Sequence, residues 1–336
     1  ETASRNAMTV QLAELFKKAG PQEVGHICYL LQGRVVPLYE AVEFGVADKL
    51  MIRAIAQAYD AAEKEVVAAF KKFGDLGIAA ERCHPAGGKS NLSVFDVFEK
   101  LFAVAREGGA GSQEKKITFL AQLLSGVDAV SARYIARIPL DKLRLGFSDM
   151  TILDALSWML AGDKSLRAKL EEAYNVRPDI GYLAQAVKSH GMAGLSHVKV
   201  KVGAPILASL CQRLPTADEM INKMGKVAVE PKYDGVRVQI HYQNSNLKTQ
   251  ISKVKTFSRN LENTTAMFSE LESMGNQIRA DEVILDSEAV GLDPKTGKII
   301  PFQETMTRKR KHDIRAARLS VPLKFFVFDI LYKNGK

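Results

Sequence analysis

Residues 226–242, KVAVEPKYDGVRVQIHY, decide the fold of the second half of the chain. Residues 227–229 and 236–242 have the apolar runs and apolar–polar alternation of strands, and a lysine and an Asp-Gly pair lie between them. Asp-Gly alone is typical of a tight hairpin turn. Alternatively, Lys232 is a nucleophile, because nearby cations such as Arg237 and partial burial favour the uncharged amine. Both interpretations are open from the motif alone.

Further strand patterns follow this segment. Residues 283–285 and 325–328 are short apolar runs typical of buried strands. Residues 263–274 predict a helix between strands. The second half, residues 214–336, is therefore expected to be an α+β domain with an antiparallel sheet, after a boundary near residue 213 marked by prolines.

The first half has a helical pattern instead. Residues 47–73 carry apolar side chains at helical spacing and end before a glycine, and four shorter stretches do the same: 93–105, 117–124, 131–138 and 151–160. An all-α domain over residues 9–213 is therefore predicted. Residues 1–8 show no periodicity and are expected to be a tag remnant without regular structure.

Composition restricts the class of protein. The 336 residues are 46% hydrophobic and 25% charged, which is ordinary for about two globular domains. No apolar run is long enough for a membrane helix. Three widely spaced cysteines without a CxxC pair argue against a disulfide framework or a thiolate zinc site, and favour a reducing, intracellular compartment. The formal net charge of +9 fits a polyanionic partner or simply a solvated surface.

Residues 230–237 resemble the KxDG nucleotidyltransferase signature of ATP-dependent DNA ligases of the archaeal and eukaryotic type. Four further blocks follow in the order of that family: FSRN at 257–260, LDSEAV at 285–290, PFQ with TRKRK between 301 and 311, and FFVFDILY at 325–332. Five blocks in the same order are a specific match.

The resemblance implies one ATP pocket that binds Mg²⁺ as well. Its expected residues are Lys232 as the nucleophile that becomes lysyl-AMP, Glu230 at the adenine edge, Arg237 and Arg259 on phosphates or ribose, Glu288 at the ribose or the metal, and Phe328 stacked on adenine. For Phe328 the alternative is an ordinary core residue of a strand.

The helical half resembles the DNA-binding domain of the same family, which holds the minor groove largely through phosphates. The matching segments are 109–116, 134–137 and 141–146. The implied DNA contacts are Lys115, Lys116, Arg137, Lys142 and Arg144, joined from the second half by Phe302, Arg308 and Arg310. The alternatives are a solvated helix face for the basic residues and a packed loop residue for Phe302.

The expected function is sealing of nicks in duplex DNA through lysyl-AMP. Because the later family blocks and the C-terminal oligonucleotide-binding domain are absent, the nucleotidyltransferase domain is expected to be incomplete at its C-terminus. The chain is then an N-terminal fragment that binds DNA and does not complete ligation. A monomer without membrane attachment is expected, located in the cytoplasm or nucleoid (in the nucleus if eukaryotic). A sliding-clamp partner is compatible with the family, although no motif for it is visible. The alternatives are a non-catalytic duplex-DNA-binding fragment and an RNA ligase or capping-type nucleotidyltransferase.

Overall fold

The computed structural model describes residues 4–87, 90–209, 211–244, 253–308 and 318–336. The chain divides into two compact units. Unit 1 comprises Glu1–Tyr174 and Asp179–Val198, and unit 2 comprises Asn175–Pro178 and Lys199–Lys336. The predicted boundary near residue 213 therefore falls inside unit 2. No helix within the described ranges has both the length and the apolar character needed to cross a membrane.

Unit 1 is built from helices, as the spacing of apolar residues predicts. They are α1 (Arg5–Lys18), α2 (Pro21–Leu31), α3 (Asp48–Tyr59), α4 (Glu63–Phe73), α5 (Leu76–Cys83), α6 (Val94–Arg106), α7 (Ser112–Ser125), α8 (Ala129–Arg137), α9 (Asp149–Ala161), α10 (Arg167–Val176), α11 (Ile180–His190) and a 3₁₀ helix (Gly191–His197). The last residues of α10 belong to unit 2.

The start of the chain differs from its expected lack of structure. Helix α1 begins at Arg5, so residues 5–8 are helical. The Ser4 hydroxyl accepts the N–H of Ala7 as an N-cap, and Leu12 and Phe16 bury the inner face of the helix. Capping and burial further along therefore extend the helix into a stretch that has no periodicity of its own.

The predicted helix at 47–73 is two helices, α3 and α4. Asp60 breaks it: its φ of 50° is left-handed, and its N–H bonds the Ala56 carbonyl to close the end of α3. Aspartate tolerates this conformation better than most residues. Helix α3 buries Met51 and Ile55 in the core of unit 1, which it shares with α7.

Unit 2 contains a four-stranded antiparallel sheet in the order β2-β1-β3-β4, which confirms the predicted α+β class. The strands are β1 (Val236–Gln243), β2 (Lys253–Ser258), β3 (Glu282–Gly291) and β4 (Leu323–Lys333). The helices are α12 (Ala217–Met224), α13 (Phe302–Thr305) and 3₁₀ helices at Thr265–Met267, Ser269–Gln277 and Met306–Arg308.

Two local predictions in unit 2 are wrong. The predicted helix at 263–274 is a pair of 3₁₀ helices joined at Phe268, and Phe268 and Leu271, three residues apart, lie in a core with residues of β1. That spacing suits a 3₁₀ helix, in which residues i and i+3 lie above one another. Residues 227–229 form no strand, and Val229 is 89% exposed. An apolar run without a partner strand has no ladder to join.

Strand β1 is buried on both faces, although its alternating sequence predicts burial of one. Val238 and Ile240 pack against the 3₁₀ helices. On the opposite face Gln239 and His241 are also buried. An irregular segment of the same unit covers this polar face through hydrogen bonds from Gly203 and Ile206.

A candidate nucleotide pocket in unit 2

A cavity of about 850 Å³ opens beside the start of β1. Its wall includes every residue that the sequence assigns to the ATP pocket: Glu230, Lys232, Arg237, Arg259, Glu288 and Phe328. Strands β1, β3 and β4, the segment before β1 and the turn after β2 contribute these side chains. The cavity is large enough for a nucleotide-sized ligand.

Lys232 lies on the irregular segment that precedes β1, exposed at the wall of the cavity. Among the described residues, none forms a hydrogen bond or ion pair with its amine. The next side chain, Tyr233, stacks on Phe326 of β4 with ring centroids 4.2 Å apart and planes inclined by 17°. This stack fixes the backbone beside Lys232 while leaving the amine free to meet a ligand.

Gly235 brings the segment of Lys232 against β3. A Cβ at this position would lie 2.4 Å from the Ala289 carbonyl oxygen, a distance that real contacts do not show. Residues 231–234 are irregular and unpaired. Because these residues form no strand, the Asp-Gly pair is not a hairpin turn. Glycine is required here for a close backbone approach.

Glu288 of β3 is half-buried and faces the cavity. Burial raises the pKa of its carboxyl, opposed by the backbone N–H of Gly235 and by the charges of Lys232 and Arg237. The carboxylate is thus placed beside the predicted nucleophile. It is a suitable oxygen ligand for a ribose hydroxyl or a hard cation.

Arg237 is held by a residue that the sequence analysis missed. Its guanidinium pairs in a two-pronged fashion with Asp286, the Nε–Oδ1 distance being 3.0 Å, and Asp286 is only 4% exposed. Its cationic carbon also lies 5.7 Å from the centroid of the Phe328 ring. The bond to Asp286 raises the pKa of Arg237. The sequence does indicate this position, because Asp286 and Glu288 are two residues apart on one strand and therefore share a face of the sheet.

Phe302 of α13, predicted as a DNA contact, also lines this cavity. Further lining residues are Asn260 of the FSRN block and five that no motif includes, Ala208, Ser209, Cys211, Glu262 and Met306. Of these five, the first three precede the signature by 19 to 22 residues. No motif marks them, so only the folded chain brings them to the site.

The predicted DNA contacts of unit 1 lie in more varied surroundings. Lys116 is 7% exposed and donates to the Phe44 carbonyl at 2.6 Å, so its assignment as a phosphate contact is corrected to a structural role. Arg137 is mostly buried and pairs with Asp75.

The other three predicted contacts of unit 1 keep more of their surface open to solvent. Lys142 pairs with Asp48, Arg144 with Asp75, and Lys115 with Glu107. The side chains of Arg144 and Lys115 remain 60% and 64% exposed.

Arg308 is a second correction. It is 4% exposed, and its Nη2 donates to the Met267 carbonyl and to the Glu270 carboxylate, which anchor it inside unit 2. A buried, paired arginine does not reach a DNA phosphate. Arg310 and most of the basic run around it lie outside the described residues.

Two protein-family models match the chain. The family described as "DNA ligase N terminus" matches residues 1–157, and that described as "ATP dependent DNA ligase domain" matches residues 205–336. Similar curated proteins are a probable DNA ligase of Dictyoglomus thermophilum (42% identity, 100% of this chain and 56% of that protein), DNA ligase 2 of Thermofilum pendens (40%, 100% and 57%) and a DNA ligase of Staphylothermus marinus (40%, 99% and 58%).

Among solved structures, the ligase domain of M. tuberculosis LigD shares 27% identity over 32% of this chain and 30% of that one, with a TM-score of 0.24. The chain spans little more than half the length of the curated relatives that it matches. Both family models and all three relatives name the same class of enzyme. The chain therefore belongs to the ATP-dependent DNA ligase family.

Proposed function

We propose that the protein seals nicks in duplex DNA with ATP as the adenylate donor. The observation that carries this proposal is the convergence of Lys232, Glu288 and Phe328 on one cavity, with no hydrogen bond or ion pair to the Lys232 amine among the described residues. A lysine without a competing ion pair is available as a nucleophile once its amine is deprotonated.

In the first step the Lys232 nitrogen attacks the α-phosphorus of ATP. The bond from that phosphorus to the bridging oxygen breaks, pyrophosphate leaves, and the amine proton passes to solvent. The 5′-phosphate at a nick then attacks the same phosphorus and releases the lysine. Finally the 3′-hydroxyl attacks the 5′-phosphate and AMP leaves, so each step exchanges one bond to phosphorus for another.

The surrounding residues bind and orient the nucleotide. Phe328 offers a ring face to adenine, and Glu230, which lines the same cavity, offers carboxylate oxygens to its amino group. Arg259 is exposed at the wall without a partner among the described residues and can hold phosphate oxygens. Arg237, already bound to Asp286, presents its remaining surface beside Phe328.

The described residues of the cavity supply only some of the oxygen ligands that Mg²⁺ needs. No cluster of three or more metal-binding side chains occurs within the described ranges. Mg²⁺ is commonly bound by one or two carboxylates together with substrate phosphates, so Glu288 would hold it with the nucleotide. When bound, the ion would offset negative charge on the phosphates.

Nicked duplex DNA is the proposed partner. Lys115 and Arg144 are the most exposed of the predicted contacts in unit 1, and Phe302 lies at the same cavity as Lys232. Binding through phosphates predicts that affinity falls as salt rises. A salt-independent affinity, or none at low salt, would contradict this part of the proposal.

The adenylation step is tested with ATP labelled at the α-phosphate and the full-length protein. Wild type should retain label after denaturation, whereas Lys232→Arg, which keeps the charge but not the nucleophile, should retain none. Lys226→Ala is the matched control, because this exposed lysine of unit 2 does not line the cavity. Equal labelling of Lys232→Arg and wild type would overturn the proposal.

A further inference from the structure

One wall of the nucleotide pocket is held in place by side chains that do not line the pocket. Residues 203–209, here called the strap, cross the polar face of β1 without forming a strand. Gln239 makes two hydrogen bonds to the Ile206 backbone: its Oε1 accepts the N–H at 2.7 Å, and its Nε2 donates to the carbonyl at 3.0 Å. These are the bonds that a neighbouring strand would otherwise supply.

His241 completes the attachment from the next position on the same face. It is fully buried, and its Nδ1 accepts the N–H of Gly203 at 3.0 Å. Its Nε2 therefore carries the proton and donates to Gln239 Oε1 at 2.9 Å. Burial and the nearby charge of Lys255 lower the pKa of His241 to about 3, so the ring stays neutral at physiological pH.

The strap leads directly into the pocket. Ala208 and Ser209 line the cavity, two and three residues after the Ile206 bonds. The preceding residue is fixed as well, since Leu207 donates its N–H to the Asn175 carbonyl at 2.8 Å. Neither Gln239 nor His241 lines the large cavity itself.

We propose that Gln239 and His241 are positioning residues for the nucleotide, which hold the strap backbone so that Ala208 and Ser209 form a fixed wall of the pocket. This inference rests on the proposed adenylation of Lys232. The backbone N–H and C=O groups of a buried segment that is not part of a sheet must bond side chains instead. The two hydrogen bonds between Gln239 and Ile206 fit only one alignment of the strap on β1. A loosened strap leaves the reacting groups intact but widens the pocket.

The test is the steady-state KM for ATP and the kcat of nick sealing by the full-length protein, because each sealing event consumes one adenylate and Lys232 must then react with ATP again. Gln239→Leu and His241→Leu should raise the KM for ATP by about tenfold, with a smaller change in kcat. His241→Asn should restore much of the loss, because its amide oxygen can replace Nδ1 as the acceptor for Gly203. An unchanged KM in Gln239→Leu, or no restoration by His241→Asn, would overturn the proposal.

Thr256→Val is the matched control. It removes a buried hydroxyl pair with Thr264 (2.9 Å) in the same sheet but leaves the strap bonds untouched, so its KM should equal that of wild type. A raised KM for ATP in this variant would mean that the loss of any buried hydrogen bond in unit 2 raises this KM. That result would contradict a specific role of the strap.

A second measurement keeps the inference testable if a variant loses activity entirely. Backbone hydrogen exchange of residues 203–209 should be faster in Gln239→Leu than in wild type, and unchanged in Thr256→Val. Wild-type exchange rates in Gln239→Leu would refute the attachment. If wild type itself forms no adenylate on Lys232, the proposed function fails, whereas the exchange result still decides whether the strap is held.

Discussion

Two mostly buried cations of unit 1, Lys116 and Arg137, differ from two cations of the unit 2 pocket, Lys232 and Arg259, in what they already bind. Lys116 donates to a backbone carbonyl, and Arg137 pairs with Asp75. Lys232 and Arg259, in contrast, line a cavity and have no ion-pair partner among the described residues. A cation whose bonds are satisfied within its own unit stabilises the fold, whereas an unsatisfied cation at a cavity is available for a ligand.

The largest expected effect comes from the backbone contact that builds the pocket. Gly235→Ala would place a Cβ 2.4 Å from the Ala289 carbonyl oxygen, so the segment of Lys232 must shift away from β3. Displacement of a reacting group by about 1 Å can cost about 100-fold in rate, and we expect a loss of that order in Lys232 adenylation. Gly108→Ala in unit 1, where a Cβ meets nothing within 4 Å, is the control and should have no effect.

Two adjacent lysines of α7 are expected to have different roles, Lys116 in stabilising the fold and Lys115 in binding DNA. Lys116→Met leaves the Phe44 carbonyl without its 2.6 Å partner, and should lower the free energy of unfolding of unit 1 by about 2 kcal/mol. Urea unfolding followed by the single tryptophan, Trp158, measures this directly in unit 1. The salt dependence of DNA binding should stay as in wild type.

Lys115→Met should do the opposite. Its amine is exposed and lies 3.5 Å from Glu107, so the unfolding free energy should change by less than about 0.5 kcal/mol. Loss of one phosphate contact should reduce the slope of log K against log salt by about 0.9. Identical slopes for the two variants would remove the distinction between these lysines.

A smaller effect is expected at the two arginines that share Asp75. Arg137→Ala should lower the unfolding free energy by about 1–2 kcal/mol, because Arg137 is mostly buried beside a carboxylate that is itself 4% exposed. Arg144→Ala, at 60% exposure, should lower it by less than about 0.5 kcal/mol. Equal losses would show that burial does not set the strength of these pairs.

The effect of pH follows from the same carboxylate. Burial raises the pKa of Asp75, but the hydrogen bonds and charges of Arg137, Arg144 and the Ile78 N–H outweigh it, and the net pKa is lowered. Its stabilising contribution is thus complete above the unfolded-state pKa near 4 and is lost as pH falls through the lower folded-state value. The stability gap between wild type and Arg137→Ala should shrink below about pH 4; a constant gap would contradict this account.

Short motifs were informative because their residues meet through local geometry. Strand β1, which follows Lys232, and strand β3, which carries Glu288, are ladder neighbours with Arg237 opposite Glu288, so sequence order and strand pairing place these residues together. The helices of unit 1 were predictable for a similar reason, since N-caps such as Ser93 and apolar periodicity act within a few residues.

Long-range pairing was not predictable in the same way. Whether Lys116 or Arg308 faces solvent depends on Phe44 and Glu270, which are distant in sequence. The burial of His241 depends on the strap, which carries no motif. Charge and spacing alone therefore identify cations but do not show which of them form hydrogen bonds or ion pairs within the fold.

The location of the adenylate decides whether Lys232 is the nucleophile. The full-length protein is incubated with ATP and Mg²⁺, digested, and its peptides are mapped by mass spectrometry. A single adenylate on Lys232 is expected. An adenylate on any other lysine, or none on a protein that still seals nicks, would contradict this role of Lys232.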